Sequence, residues 1–123
     1  MTRYRIGVLC ALILTAGAAT AQEPAATAES ASIDTVTLGR EAAYGRQRGN
    51  CLACHVMGDG EMPGTVGPPL MMMQQRFPER AVLRQQIWDA TERNPNTRMP
   101  PFGRHGMLTE EEIDWIVDYL YTL

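Results

Sequence analysis

Lysine is absent from this chain of 123 residues, so its eleven basic side chains are all arginine, set against fourteen acids for a formal net charge of −3. An acidic balance of this kind makes nucleic acid a poor partner, because phosphate binding needs surplus cations. No internal repeat is present, which excludes a solenoid. Long apolar stretches are also missing: the one substantial run, residues 6–19, falls short of the ~20 residues a membrane-spanning helix needs. Cysteine is scarce, at three residues, and histidine scarcer, at two. With no second cysteine pair, a four-cysteine zinc site cannot be built.

What is present begins with an export signal. Arg3 and Arg5 precede the apolar run, and Ala19-Thr20-Ala21 supplies a small-residue cleavage site, so cleavage is expected between Ala21 and Gln22. Cys10 lies inside the run behind Leu9 rather than behind a small residue, which argues against lipid attachment there. Removing residues 1–21 leaves 123 − 21 = 102 residues, two cysteines and a net charge of −5, because two arginines leave with the signal. The mature protein is expected in the periplasm, without a membrane span.

Both remaining cysteines fall in Cys51-Leu52-Ala53-Cys54-His55, the CxxCH pattern of covalent haem attachment. Residues three apart on a helical turn share a face, so the two thiols can add to the two vinyl groups of one haem c. His55 follows at once and offers a ring nitrogen to the iron. A redox dithiol would have no need of the histidine. With both thiols committed, none is left for a disulfide, a nucleophile or a persulfide, and no catalytic residue is expected on this chain.

Residues 22–35 carry Ala, Glu, Ser and Thr without an apolar period and predict a flexible leader, so the folded domain is expected over residues 36–123. A first helix is expected over residues 37–48, with Leu38, Ala42 and Ala43 as a modest apolar stripe, and Gly39 and Gly45 leaving room for a second helix to cross closely. Residues 56–69 read as loop. A second helix is expected over residues 78–92, with Val82, Leu83, Ile87 and Trp88 near one side. The last helix is announced by Thr109 and Glu112 as a capping box, by Leu108 and Ile113 as a hydrophobic staple, and by Ile113, Ile116, Val117 and Leu120 at helical spacing. Its three glutamates read as a solvated helix start that suits the dipole.

The iron's sixth position has several candidates, because the mature chain holds seven methionines and one further histidine. Met99 lies in Thr97-Arg98-Met99-Pro100-Pro101-Phe102-Gly103, where prolines fix the backbone. Met57 and Met62 are too near His55 to wrap to the other haem face. Met71-Met72-Met73 read as packing around the haem, and Met107 as core. His105 is the rival of a different type, and an open iron site is the third choice. Met99 is the preferred ligand; its soft sulfur favours ferrous iron and so raises the potential. Gly67-Pro68-Pro69-Leu70 offers the Pro68 carbonyl as acceptor for the second ring nitrogen of His55, unless the segment merely punctuates a loop.

In sequence order, the haem motif, the Gly-Pro segment, the Met99 loop and the terminal helix resemble the class I cytochromes c, an all-α fold of a few helices wrapped around one haem. The resemblance sharpens in Gly49-Asn50-Cys51-Leu52-Ala53-Cys54-His55, in Asn94-Pro95-Asn96-Thr97-Arg98-Met99-Pro100-Pro101-Phe102-Gly103 and in the Tyr119-Leu120-Tyr121-Thr122-Leu123 end. These are similar to the SoxX family of the sulfur-oxidation (Sox) system, over residue 38 to the C-terminus. That resemblance implies a haem c electron-transfer subunit of SoxAX, an L-cysteine S-thiosulfotransferase. It implies Cys51 and Cys54 in thioethers and His55 and Met99 on the iron. The implied partners are SoxA, which would carry the reactive cysteine, the carrier SoxYZ as substrate, and a downstream c-type cytochrome as electron acceptor. Some SoxX proteins are longer between the Met loop and the last helix.

Charge is uneven along the chain: residues 76–104 hold six arginines against three acids, and residues 105–123 hold five acids and no arginine. The arginines are open to four readings: haem propionates, SoxA, anionic thiosulfate or plain solvation. A free, diffusible electron carrier is the alternative function, and it would need only a small transient patch at the haem edge.

Overall fold

A computed structural model describes residues 26–123, with side chains from residue 34 onward. The expected signal peptide of residues 1–21, with Cys10, lies outside the described residues. Four α-helices follow in order: α1 (Ala26–Tyr44), α2 (Met73–Arg76), α3 (Arg80–Trp88) and α4 (Glu110–Leu120), with a 3-10 turn at Cys51–Ala53. Among the described residues the β contact is one isolated bridge, Met57 to Leu70. The expected all-α class is what the chain adopts.

The architecture is set by α1 packing across α4. Gly39 permits it: a Cβ built there would stand 1.9 Å from the Trp115 carbonyl oxygen, so the backbones meet with no side chain between them. Ala42 and Ala43 are fully buried on the same side of α1. From α4 come Ile113, Ile116, Val117, Tyr119 and Leu120, all buried. Fully burying each such apolar side chain contributes roughly 1.5–3 kcal/mol relative to exposure, which makes this crossing the main source of cohesion.

Helix α4 starts as its sequence predicts. Thr109 Oγ1 accepts from the Glu112 amide at 3.1 Å, and Glu112 Oε2 accepts from the Thr109 amide at 2.9 Å. Leu108 and Ile113 are both buried beside the cap. The glutamates are not merely solvated, however. Glu112 also pairs with Arg48 at 3.0 Å, and Glu110 with Arg84 at 2.9 Å.

Other boundaries differ from the sequence reading. Helix α1 runs back to Ala26, through residues expected to be an irregular leader, because Ala and Glu favour helix even without an apolar face. It stops at Tyr44 rather than residue 48, where the Gly49 amide turns back to the Ala42 carbonyl at 3.0 Å. Helix α3 is shorter than residues 78–92 at both ends. Glu79 behind Pro78 is extended, and Asp89 leaves the helix at φ −150°. Of α3's expected apolar side, Leu83 and Ile87 are buried while Val82 and Trp88 are half-buried.

The loop after the cysteine turn is fastened by a polar cluster. Tyr44 donates to the Met57 carbonyl at 3.1 Å, Tyr119 donates to Tyr44 at 3.3 Å, and Arg40 pairs with Asp59 at 2.8 Å. Burial, reinforced by the Tyr44 hydroxyl, raises the Tyr119 phenol well above its ordinary range, so it stays a donor.

Candidate functional site

Asn50 enters the cysteine turn in the left-handed region, at φ 45°, a conformation asparagine tolerates better than most residues. The 3-10 turn then brings residues i and i+3 into register, which sets Cys51 and Cys54 on one side. Both are free cysteines. Burial pushes the Cys51 thiol up to about 11, although the residue as a whole is only half-buried; its sulfur is the desolvated part. The His55 amide closes the turn onto the Cys51 carbonyl at 2.9 Å.

His55 Nδ1 stands 2.7 Å from the Pro68 carbonyl. A carbonyl only accepts, so Nδ1 carries the hydrogen and Nε2 keeps its lone pair for a metal. Gly67 makes this contact possible, since a Cβ there would stand 2.2 Å from His55 Cε1. The Gly67 amide in turn donates to the Cys54 carbonyl at 2.8 Å, tying the Gly-Pro segment to the cysteine turn.

These residues line a cavity of ≈ 600 Å³, within the range of cofactor pockets. Cys51, Cys54 and His55 come from the turn, Pro68 from the loop, and Met99 from the segment after α3. Leu83 and Ile87 of α3, Phe102 and Leu108, and Ile116 and Leu120 of α4 make the wall largely apolar. Arg46, Arg48, Arg76, Arg93 and Arg98 also line it and are themselves exposed, so they mark its mouth. A broad apolar slot with two thiols, an imidazole, a thioether and cations at its mouth fits a haem with its two propionates. A protein-only metal cage does not fit, for among the described residues no three His, Cys, Asp or Glu side chains converge on an ion.

The other methionines divide differently from the sequence reading. Met73 is buried and lines the cavity, but Met71 and Met72 are 52% and 57% exposed and do not. The turn into α2 explains this: Met72 sits in the left-handed region and only the next residue faces inward. Met107, expected in the core, is half exposed and lies on the cavity wall. His105 is exposed and is not among the lining residues.

Of the arginines in residues 76–104, three are engaged with the chain's own acids. Arg80 pairs with Asp118 and Asp114, Arg84 with Glu110 and Asp114, and Arg104 with Asp89.

Sequence reasoning missed two groups, one at the Met99 sulfur and one at the end of α3. Gln86 Nε2 lies 3.9 Å from the Met99 sulfur. Asp89, only 3% exposed, accepts from the Thr91 amide and hydroxyl and from Arg104 Nη1 at 2.9 Å. No period or motif marks either one. The Thr91 hydroxyl and then Arg104 hold the Asp89 carboxyl below the usual carboxylate range. Because its folded pKa lies below the unfolded value of about 3.9, its contribution is present above that pH and is lost as pH falls below it. Thermal melts between pH 5 and 3 are expected to lose stability more steeply in the native chain than in Asp89→Asn.

Residues 39–120 match the family described as cytochrome C oxidase, cbb3-type, subunit III. The solved structure of SoxXA from P. pantotrophus is similar at 29% identity and a TM-score of 0.63, covering 70% of this chain and 79% of that one. The c-type cytochrome SorU from Sinorhizobium meliloti is similar at 30% identity and a TM-score of 0.53, covering 73% and 91%. An uncharacterized lipoprotein of Aquifex aeolicus (strain VF5) is 37% identical over 79 residues, which are 63% of this chain and 38% of that protein's length. No helix among the described residues is long and apolar enough to cross a membrane. With the match spanning most of the domain and the cysteine turn inside it, the chain belongs to this cytochrome c family, as a SoxX-like, all-α haem c electron-transfer protein.

Proposed function

We propose that this chain is the monohaem electron-transfer subunit of an exported SoxAX-type complex, which joins thiosulfate to a cysteine of the carrier SoxYZ. The observation that carries the reading is one cavity lined by Cys51, Cys54, His55 and Met99 together, in a chain similar to SoxXA. Cys51 and Cys54 would hold the haem covalently, and His55 and Met99 would ligate its iron. The haem supplies a one-electron ferric/ferrous couple.

This chain's own residues set the conditions for that couple. The Pro68 carbonyl fixes the His55 tautomer and strengthens the imidazole as a donor. The apolar wall limits water, and Met99 on that wall would ligate the iron and leave no open position for small oxidants. With no thiol to spare, the sulfur chemistry falls to a SoxA partner. Joining two sulfurs releases two electrons, which the haem held here would accept one at a time for delivery to a c-type cytochrome. Val66, Met71, Met72 and Met107 are about half exposed, and the first and last of these also line the cavity, which supports a lasting partner at its mouth.

The likeness to SorU favours a second reading, a free electron carrier with the same haem site. Native purification from the periplasm of thiosulfate-grown cells, with haem staining, separates the two. A stoichiometric second haem protein that conjugates thiosulfate to the carrier supports the subunit; a lone redox-active monomer sinks it.

The imidazole's support has its own test. Gly67→Ala is expected to displace the His55 ring from the Pro68 carbonyl and to shift the reduction potential of the holoprotein. An unchanged potential would mean that this hydrogen bond does not tune the iron.

A further inference from the structure

We propose that Asp89 and Arg104 form a clamp that holds the Met99 loop closed over the haem cavity, which makes Asp89 a positioning residue for the thioether ligand. The proposal rests on the reading of Met99 as the sixth ligand.

Among the described residues Asp89 is the one charged side chain that is buried, at 3% exposure. It stands where α3 ends, and its carboxylate accepts from two sides. Thr91 donates its amide at 3.0 Å and its hydroxyl to one oxygen, and Arg104 donates to the other at 2.9 Å. Arg104 comes from the far side of the Met99 loop, and its side chain is 59% exposed. The ion pair therefore ties the residue that follows the loop to the buried end of α3.

Backbone contacts place the pair at the base of the loop. The Trp88 carbonyl accepts from the Gly103 amide at 3.1 Å and the Arg104 amide at 3.3 Å. Gly103 lies flat on the Trp88 ring, where a Cβ would stand 2.0 Å from the nearest ring carbon. Two residues before Trp88, Gln86 reaches the Met99 sulfur. The end of α3 thus meets the loop at its sulfur and its backbone, and meets Arg104 just beyond it through Asp89. The remaining α3 ion pairs, from Arg80 and Arg84, run to α4 and do not touch the loop.

A thioether is a neutral, weak donor, so its hold on the iron depends on how rarely the loop opens. A competing ligand binds only the open form, and its apparent affinity scales with the open fraction. Loss of one charge-assisted hydrogen bond corresponds to roughly a tenfold or larger rise in that fraction.

The test is an imidazole titration of the ferric holoprotein, followed through the thioether-to-iron charge-transfer band and the reduction potential. Asp89→Asn and Arg104→Ala are expected to bind imidazole about tenfold more tightly than the native chain, with Arg104→Lys largely restored. Arg80→Ala, which loses an ion pair away from the loop, is expected to match the native chain, and Met99→Ala to bind most tightly with the band gone. Native affinity in Asp89→Asn and Arg104→Ala, beside tight binding in Met99→Ala, overturns the clamp and leaves the ligand assignment standing. An equal rise in Arg80→Ala also overturns it, since the effect would then be general loss of stability. Native affinity and an intact band in Met99→Ala overturn the ligand assignment and the clamp with it.

Discussion

Replacing Met99 with alanine is expected to lower the reduction potential by on the order of 0.1 V or more, within the roughly 0.8 V that axial ligands command, while the haem stays covalently attached. The separation of the two effects follows from where the groups sit. The proposed attachment residues, Cys51 and Cys54, sit in a turn closed by local hydrogen bonds, and Met99 lies on a different segment of the cavity wall. The sulfur is a soft donor that favours ferrous iron, so its removal lets water or another harder ligand favour the ferric state. Loss of the charge-transfer band and a lower midpoint in a redox titration are the paired readouts. If His105 were the sixth ligand instead, Met99→Ala would leave both unchanged and His105→Ala would move them. The exposure of His105 outside the cavity lining argues for the first outcome.

Gly39→Ala is expected to destabilise the fold by about 2 kcal/mol or more, although it adds a single methyl group and improves intrinsic helix propensity. The added carbon would stand 1.9 Å from the Trp115 carbonyl oxygen and 2.4 Å from its carbonyl carbon. Backbone cannot rotate away as a side-chain tip can, so α1 and α4 must separate and loosen the layer of Ala42, Ala43, Ile116 and Val117. For a domain near 100 residues, each kcal/mol is worth roughly 4–8 °C in Tm, so thermal unfolding followed by circular dichroism resolves the effect. Gly106→Ala is the contrast: nothing lies within 4 Å of the added Cβ, and only its φ of 62° opposes the change. A melting point for Gly39→Ala equal to the native value would contradict the close crossing.

The sequence displayed some of this architecture and hid the rest for physical reasons. Helix α4 was legible because its cap, staple and apolar stripe agree in register, so local and tertiary preferences coincide. The cysteine turn was legible because its chemistry needs fixed spacing. Helix α1 was misjudged in extent because residues 26–35 have helix propensity without an apolar face, and a period alone cannot detect that. The three consecutive methionines were indistinguishable in composition; only the left-handed turn at Met72 sends Met73 inward and its neighbours out. Asp89 could not be found from sequence at all, since its three donors come from Thr91 and from Arg104, fifteen residues on.

The crossing of α1 with α4 also dictates an order of assembly. Those helices lie at opposite ends of the domain, so their union closes a long loop and carries a matching entropic cost. The proposed attachment residues, by contrast, fall within five consecutive positions and need no distant partner. Covalent capture of the haem can therefore precede closure, whereas the cavity wall that holds Met99 is complete only once Ile116 and Leu120 of α4 join it. A chain weakened at Gly39 would still be stained for haem after denaturation, yet would spend more of its time with the thioether detached. On the proposed ligation, the absorption band of Met99 would report completed folding and offer a clock for the last step.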